Sequence, residues 1–185
     1  MIMTPRLRKL ALTAHVTSSV GWVGAVVGFL ALAVAALTSQ DAQLVRAAYL
    51  AMELTGWFVL VPLAVASLLT GLVQSLGTKW GLFRHYWVLV KFVINLVATI
   101  VLLLYMQTLG YLAGVAAQST LSGDDLGELR SPSPLVHAGI GMLLLVVAAT
   151  LSVYKPRGMT RYGQRKQHEQ LTASAAVDAA TPARR

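Results

Sequence analysis

The chain has 185 residues, 56% hydrophobic and 12% charged, with a net charge of +8 and a mean hydropathy of +0.66. Soluble domains carry about 25% charged residues, so a water-soluble domain of this length is excluded and lipid must solvate most of the apolar surface. The positive charges sit in short segments beside apolar runs, a membrane-topology pattern rather than a nucleic-acid surface, and the absence of cysteine removes disulfides, thiolate metal sites and cysteine nucleophiles.

A helix needs about 20 apolar residues to cross the hydrocarbon layer. Four segments meet that length, at about 10–37, 44–76, 86–109 and 135–154. The first follows Arg6, Arg8 and Lys9, as a signal peptide would, but it outruns a signal core of roughly 7–15 residues and reads as a span. Pro62 interrupts the second; it has no N–H to give Phe58 and is expected to kink the helix. In the long connection 110–133, Ser122 and Asp125 have a spacing like that of a capping box, which predicts a short surface helix over 124–129. Pro132 and Pro134 then end it and start the fourth span. From about residue 163 the chain is polar and Ala-rich with no apolar face. The expected organisation is a transmembrane domain over 1–162 and a disordered cytoplasmic tail over 163–185.

Orientation follows from the short flanks. Arg6, Arg8 and Lys9 precede the first span, Lys79 and Arg84 separate the second from the third, and Lys155, Arg157, Arg161, Arg165 and Lys166 follow the fourth. The other two connections hold only Arg46 and Arg130, beside Asp41, Asp124, Asp125 and Glu128. The positive-inside rule then predicts an all-α four-helix bundle in the cell membrane with both termini cytoplasmic. Trp80, Tyr86, Trp87 and Tyr154 fall at the inner interface, and Tyr49, Tyr105 and Tyr111 near the outer one. Trp22 and Trp57 lie deep, as packing residues or cavity walls.

Small residues mark where helices approach. Ala14, Ser18, Gly21, Ala25 and Gly28 alternate by four and three, and Ser67, Gly71 and Ser75 recur every four. Such stripes are packing seams in lipid. Gly24 and Gly28 form one GxxxG, a weak signal for a homo-oligomer.

Ionisable side chains inside a span are costly and each carries a functional hypothesis. The candidates are His15, Glu53, Lys91 and His137, with His85 at the inner boundary. From the helical rise, His15 and His137 are separated by roughly 24 Å of depth and cannot share one metal ion, whereas His15 and His85 differ by about 6 Å and could approach. The bland reading of His15 is a packing histidine hydrogen-bonded to its surroundings. Lys91 is expected to snorkel toward the cytoplasm. Asn95 and Thr99 continue its polar face into the bundle. Met52, Met106 and His137 share an outer depth of roughly 12–14 Å above the midplane; thioether and imidazole suit Cu(I), against a null of packing methionines.

The first span reads His15-Val-Thr-Ser-Ser-Val-Gly21-Trp22-Val23-Gly24. It resembles the H-x6-W-x-G segment of CopD-type copper-resistance membrane proteins. Thr78-Lys79-Trp80-Gly81 followed by Lys91 is similar to that family's T-x-[YW]-G…K stretch. From about residue 8 to 163 the chain also resembles an uncharacterised family of four-helix integral membrane proteins. The resemblance implies a helical bundle and copper handling through His15 and His137. The chain is shorter than the larger CopD proteins and lacks an obvious periplasmic copper-binding domain.

Three functions follow as expectations: copper handling, a b-type haem electron carrier ligated by His15 and His85, and a scaffold or accessory subunit without chemistry. An enzyme is not expected. The spans hold no paired carboxylates and no G-x-S-x-G elbow, and Ser18 and Ser19 beside His15 do not make a triad. The expected partners are the lipid bilayer and a larger membrane complex, with no nucleic acid.

Overall fold

A computed structural model describes residues 3–77, 81–118, 123–156 and 158–180. Its helices are α1 (Pro5–Thr38), α2 (Ala42–Thr55), a π-helical turn (Gly56–Leu60), α3 (Val61–Gly77), α4 (Tyr86–Ala116), α5 (Gly123–Leu129), α6 (Ser133–Tyr154) and α7 (Arg161–Ala180). Among the described residues there is no strand, and the one isolated bridge joins His85 to Met159. Four helical stretches, Pro5–Thr38, Ala42–Gly77, Tyr86–Ala116 and Gly123–Tyr154, are long and apolar enough to cross a membrane.

The outside of this bundle is as apolar as its inside. Phe58, Leu104, Leu143 and Val20 are among its large exposed side chains. In water such a surface would aggregate; in hydrocarbon it is solvated, provided the backbone is satisfied within each helix. Helix ends are closed locally. Thr4 accepts from the Leu7 N–H ahead of Pro5, and Asp41 accepts from the Gln43 N–H at 2.9 Å, both ordinary N-cap arrangements.

The break expected at Pro62 takes a definite form. The Val61 N–H bonds to the Gly56 carbonyl, five residues back. The ladder slips by one residue before the proline, so the crowding is absorbed as a π turn. Gly56 faces Met106 of α4 closely: an added Cβ would stand 2.7 Å from the Met106 Sδ and Cε. The π turn is therefore also where α4 comes nearest.

The third span runs past the expected end at 109 to Ala116. Leu112, Ala113, Val115 and Ala116 are buried, and this packing holds the extra turns. Helix α5 covers the same end, as the sequence predicts; Ser122 lies outside the described residues. Tyr49 lies at this end of the bundle and is fully buried, and its hydroxyl donates to the Leu129 carbonyl at 2.6 Å. That bond pins α5 onto the bundle. Trp57 also departs from expectation: it is exposed and does not pack in the interior.

The other end of the bundle carries both termini. The Met3 N–H donates to the Gly77 carbonyl. The Thr160 N–H donates to the Arg84 carbonyl at 3.0 Å, and its hydroxyl donates to the Phe83 carbonyl. Gly163 lies directly on the Arg84 carbonyl, with no room for a side chain. The segment expected to be disordered from 163 is helical as far as Ala180. Its Ala, Gln, Arg and Lys residues are strong helix formers, and Lys166 pairs with Glu169 at 2.8 Å. That bond holds the Glu169 carboxyl below its ordinary pKa. Residues 181–185 lie outside the described residues.

Candidate functional site

Two cavities sit at opposite ends of the bundle, and they share no lining residue. The smaller, of about 90 Å³, lies between α1, α3 and α4 at the end that carries the termini. His15, Gly71, Ser75, Lys91 and Asn95 line it.

His15 is placed there by the small-residue seam of α3. The imidazole lies over Gly71, where an added Cβ would stand 3.0 Å from its Cε1. Its Nδ1 lies 3.1 Å from the Ser67 carbonyl and 3.1 Å from the Thr70 hydroxyl. A carbonyl only accepts, so Nδ1 carries the proton in that bond. Ser19 and Ser67 exchange a second interhelical bond at 2.8 Å. The α1 seam is real at Ser18, which is buried, and at Gly21, where an added Cβ would stand 3.4 Å from the Leu63 side chain. It fails at Gly24 and Gly28, which face open space.

Lys91 does not simply snorkel. Its Nζ donates to the Ser152 hydroxyl of α6 at 3.0 Å and sits 6.0 Å from the Trp87 ring centre, within reach of a cation–π attraction. Asn95 and Thr99 are buried, as their shared face predicts. Polar bonds thus tie α1 to α3 and α4 to α6 beside a small, mostly apolar space. The space has room for a few waters, which is far below the roughly 300–1,000 Å³ of a small-molecule pocket. It does not accommodate a haem macrocycle.

The remaining candidates are dispersed. His85 caps the start of α4 and is bridged to Met159; it does not line the His15 cavity. Met52 and Met106 are buried in the core at 0% and 1% exposure and line neither cavity. Glu53 packs on α4, its Oε1 at 3.5 Å from where a Cβ on Gly110 would stand. Among the described residues no three His, Cys, Asp or Glu side chains are grouped as metal ligands are. Thr78, Lys79 and Trp80 of the second motif lie outside the described residues.

The larger cavity, of about 360 Å³, is an apolar groove between α1, α4 and α6 at the α5 end. Trp22 and Phe29 form its floor, and His137 and Tyr105 close one end. The His137 ring stacks on Tyr105 with centres 4.1 Å apart and planes at 18°. His137 Nδ1 lies 2.9 Å from the Ser133 carbonyl one turn back, and the Tyr105 hydroxyl lies 3.3 Å from the Ser133 hydroxyl. Tyr105, assigned from sequence to the outer aromatic belt, is thus turned inward at 8% exposure. The Ser133–His137 spacing of four was a visible signal for this pair; nothing local in the sequence announced Tyr105 as its partner. Likewise, Ser152 and Thr70 were missed because their roles depend on which helices become neighbours.

No protein-family model matches the chain, and no curated protein or solved structure shows significant similarity to it. The fold and the two cavities therefore stand on their own geometry.

Proposed function

We propose that this chain is a small multi-pass protein of the cell membrane, of the copper-resistance D-like type, that serves as a non-catalytic scaffold or accessory subunit. The observation that supports this reading is the use of the intramembrane polar groups. His15 is bonded to Ser67 and Thr70, Ser19 to Ser67, and Lys91 to Ser152. Each bond joins two different helices. In hydrocarbon, polar groups of this kind act as interhelical glue, and a clamp of this sort requires no cofactor. Of the residues that carry the CopD-type resemblance, His15 and Lys91 line the smaller cavity, Trp22 lines the larger one and Gly24 is exposed.

Both termini are assigned to the cytoplasm. The connections at the terminal end carry the clustered Lys and Arg, whereas the α5 end carries the acids. A reporter active only in the cytoplasm should work when fused after Gly163 and fail when inserted beside Asp124; activity at Asp124 overturns the orientation.

The scaffold reading is tested on protein purified after copper-replete and haem-replete growth. The expected result is no Soret band and no stoichiometric metal. A stoichiometric cofactor that His15→Gln abolishes would overturn it.

A second reading, Cu(I) handling at the α5 end, is favoured by one observation. His137 uses Nδ1 on the Ser133 carbonyl, which leaves the Nε2 lone pair as a ligand, the arrangement in which a histidine ordinarily meets a metal. Copper retained by the wild type and lost in His137→Phe supports it. Equal retention by both removes it.

A further inference from the structure

The groove between α1, α4 and α6 has a chemistry that specifies what could fill it. It is about 360 Å³, inside the range of small-molecule sites, and like them it is apolar with a few placed polar groups. Small residues open it: Ala98 on α4 and Ala138 and Gly141 on α6 are all in its lining. A Cβ on Gly141 would meet nothing within 4 Å. The floor is rigid and aromatic. Trp22 and Phe29 are buried at 3% and 4% exposure in the α1 core. The rim is formed by the exposed Val101 and Ile140. Because α4 and α6 are spans, that rim opens onto hydrocarbon rather than water.

No side chain along the groove carries a fixed charge: its lining is aliphatic and aromatic apart from Tyr105 and His137. A fatty acid or phospholipid head would find no Lys or Arg there. The polar end does have hydrogen-bonding capacity left over. The Ser133 carbonyl can only accept, so it fixes the His137 proton on Nδ1 at 2.9 Å and leaves Nε2 as an acceptor. The Tyr105 hydroxyl has one partner, the Ser133 hydroxyl at 3.3 Å, and a phenol can both donate and accept. The stacked Tyr105 and His137 rings hold both groups in place.

We propose that this groove binds a neutral amphiphile taken from the bilayer, with an apolar body along α4 and α6 and a single hydroxyl head donating to His137 Nε2. An uncharged groove excludes charged heads, and the polar end selects a hydroxyl over a plain hydrocarbon. The proposal needs the bundle to lie in lipid, but not the scaffold assignment.

The test uses the full chain in phosphatidylcholine nanodiscs and a hexadecanol analogue carrying a mid-chain diazirine. Its methyl ether and its carboxylate counterpart are the controls. Photolabelling by the alcohol should saturate, map to 97–105 and 137–145, and be competed by unlabelled hexadecanol. The ether and the carboxylate should label at least about fivefold less, as the loss of one hydrogen bond implies. His137→Phe keeps the stacked ring and removes the acceptor; it should weaken the alcohol to the level of the ether. Gly141→Leu should abolish saturable labelling, and Ala138→Leu repeats that test should Gly141→Leu not fold. Equal, saturable labelling by all three probes would identify an ordinary acyl chain as occupant and overturn the hydroxyl specificity. Labelling that never saturates, or that appears only when the protein is monomeric, would overturn the site in favour of bulk lipid or of a second copy seated in the groove.

Discussion

The two cavities share α1 and α4 but are built by opposite means. At the terminal end, α1 and α3 close on each other through Gly71, Ser67 and Ser19, and the polar side chains use their hydrogen bonds across the seam. At the α5 end, the small residues Ala98, Ala138 and Gly141 line an open groove between α1, α4 and α6. Small residues occur in both places with different results. A glycine draws helices together only where its neighbour supplies something to meet it, here the imidazole of His15. Where nothing faces it, as at Gly141, the same residue leaves a void. In the first region polar groups are spent between helices, at His15 Nδ1, Ser19 and Ser67; in the second the space between helices is left open.

Overpacking the two regions should separate them most sharply. Gly71→Leu must push the His15 ring off the α3 seam, since even a Cβ meets Cε1 at 3.0 Å. Overpacking of a tight site costs about 1–3 kcal/mol, and the loss of the Ser67 and Thr70 bonds adds to it. Thermal unfolding in detergent should fall clearly, with less protein recovered from the membrane. Unchanged stability would mean that the seam is loose.

The next largest effect is at His15 itself. His15→Leu removes the imidazole donor from the Ser67 carbonyl and the Thr70 hydroxyl, which keeps its bond to the Ala66 carbonyl, and should destabilise by about 1 kcal/mol. His15→Gln keeps a donor of similar reach and should recover most of that loss. A destabilisation equal in both variants would show that the imidazole acts by shape and not by hydrogen bonding.

How much of this was readable beforehand depends on whether the cause is local. The spans were legible because hydrocarbon imposes a length on every apolar run, and α5 was legible from its flanking prolines and cap spacing. The inward faces of Asn95 and Thr99 followed from helical periodicity. The π turn was half legible: Pro62 announces a break, but whether it becomes a kink or a slipped ladder depends on Met106 pressing on Gly56 from α4. Partner identities were not legible. That His15 meets Ser67, and Lys91 meets Ser152, requires knowing which helices are neighbours and at what rotation. Depth alone grouped Met52, Met106 and His137, yet two are core residues and the third faces the groove. Depth along the bilayer gives one coordinate, and a site needs three. The helical state of 161–180 was misread for another reason. The absence of an apolar face argues against packing, but helix propensity in an Ala-rich segment operates without packing.

Filling the groove should have a much smaller effect on stability, and of the other sign. Gly141→Leu places apolar volume where a Cβ meets nothing within 4 Å, and it replaces a poor helix former with a good one. The expected change is neutral to stabilising by about 1 kcal/mol, against the loss produced by the same substitution at Gly71. A destabilisation of Gly141→Leu as large as that of Gly71→Leu would collapse the distinction between the two ends, because it would mean that the groove is closed in the membrane.

The smallest effect should come from the tail, and it bounds what holds the terminal end together. Truncation after Gly163 removes most of α7, whose described side chains beyond that point are exposed. Beyond that point the Arg84 guanidinium donates to the Gln170 side chain at 3.0 Å, a surface bond worth little in water. The contacts that staple the chain after α6 to the segment before α4 lie upstream: the Thr160 N–H on the Arg84 carbonyl, the Thr160 hydroxyl on the Phe83 carbonyl, and Gly163 against Arg84. The truncated protein should therefore unfold within about 0.5 kcal/mol of the full chain, whereas Thr160→Val in the full chain should cost about 1 kcal/mol. Matched thermal unfolding of the two variants in the same detergent decides the point. If truncation costs more than Thr160→Val, α7 itself stabilises the bundle, and the staple at Thr160 is secondary to it.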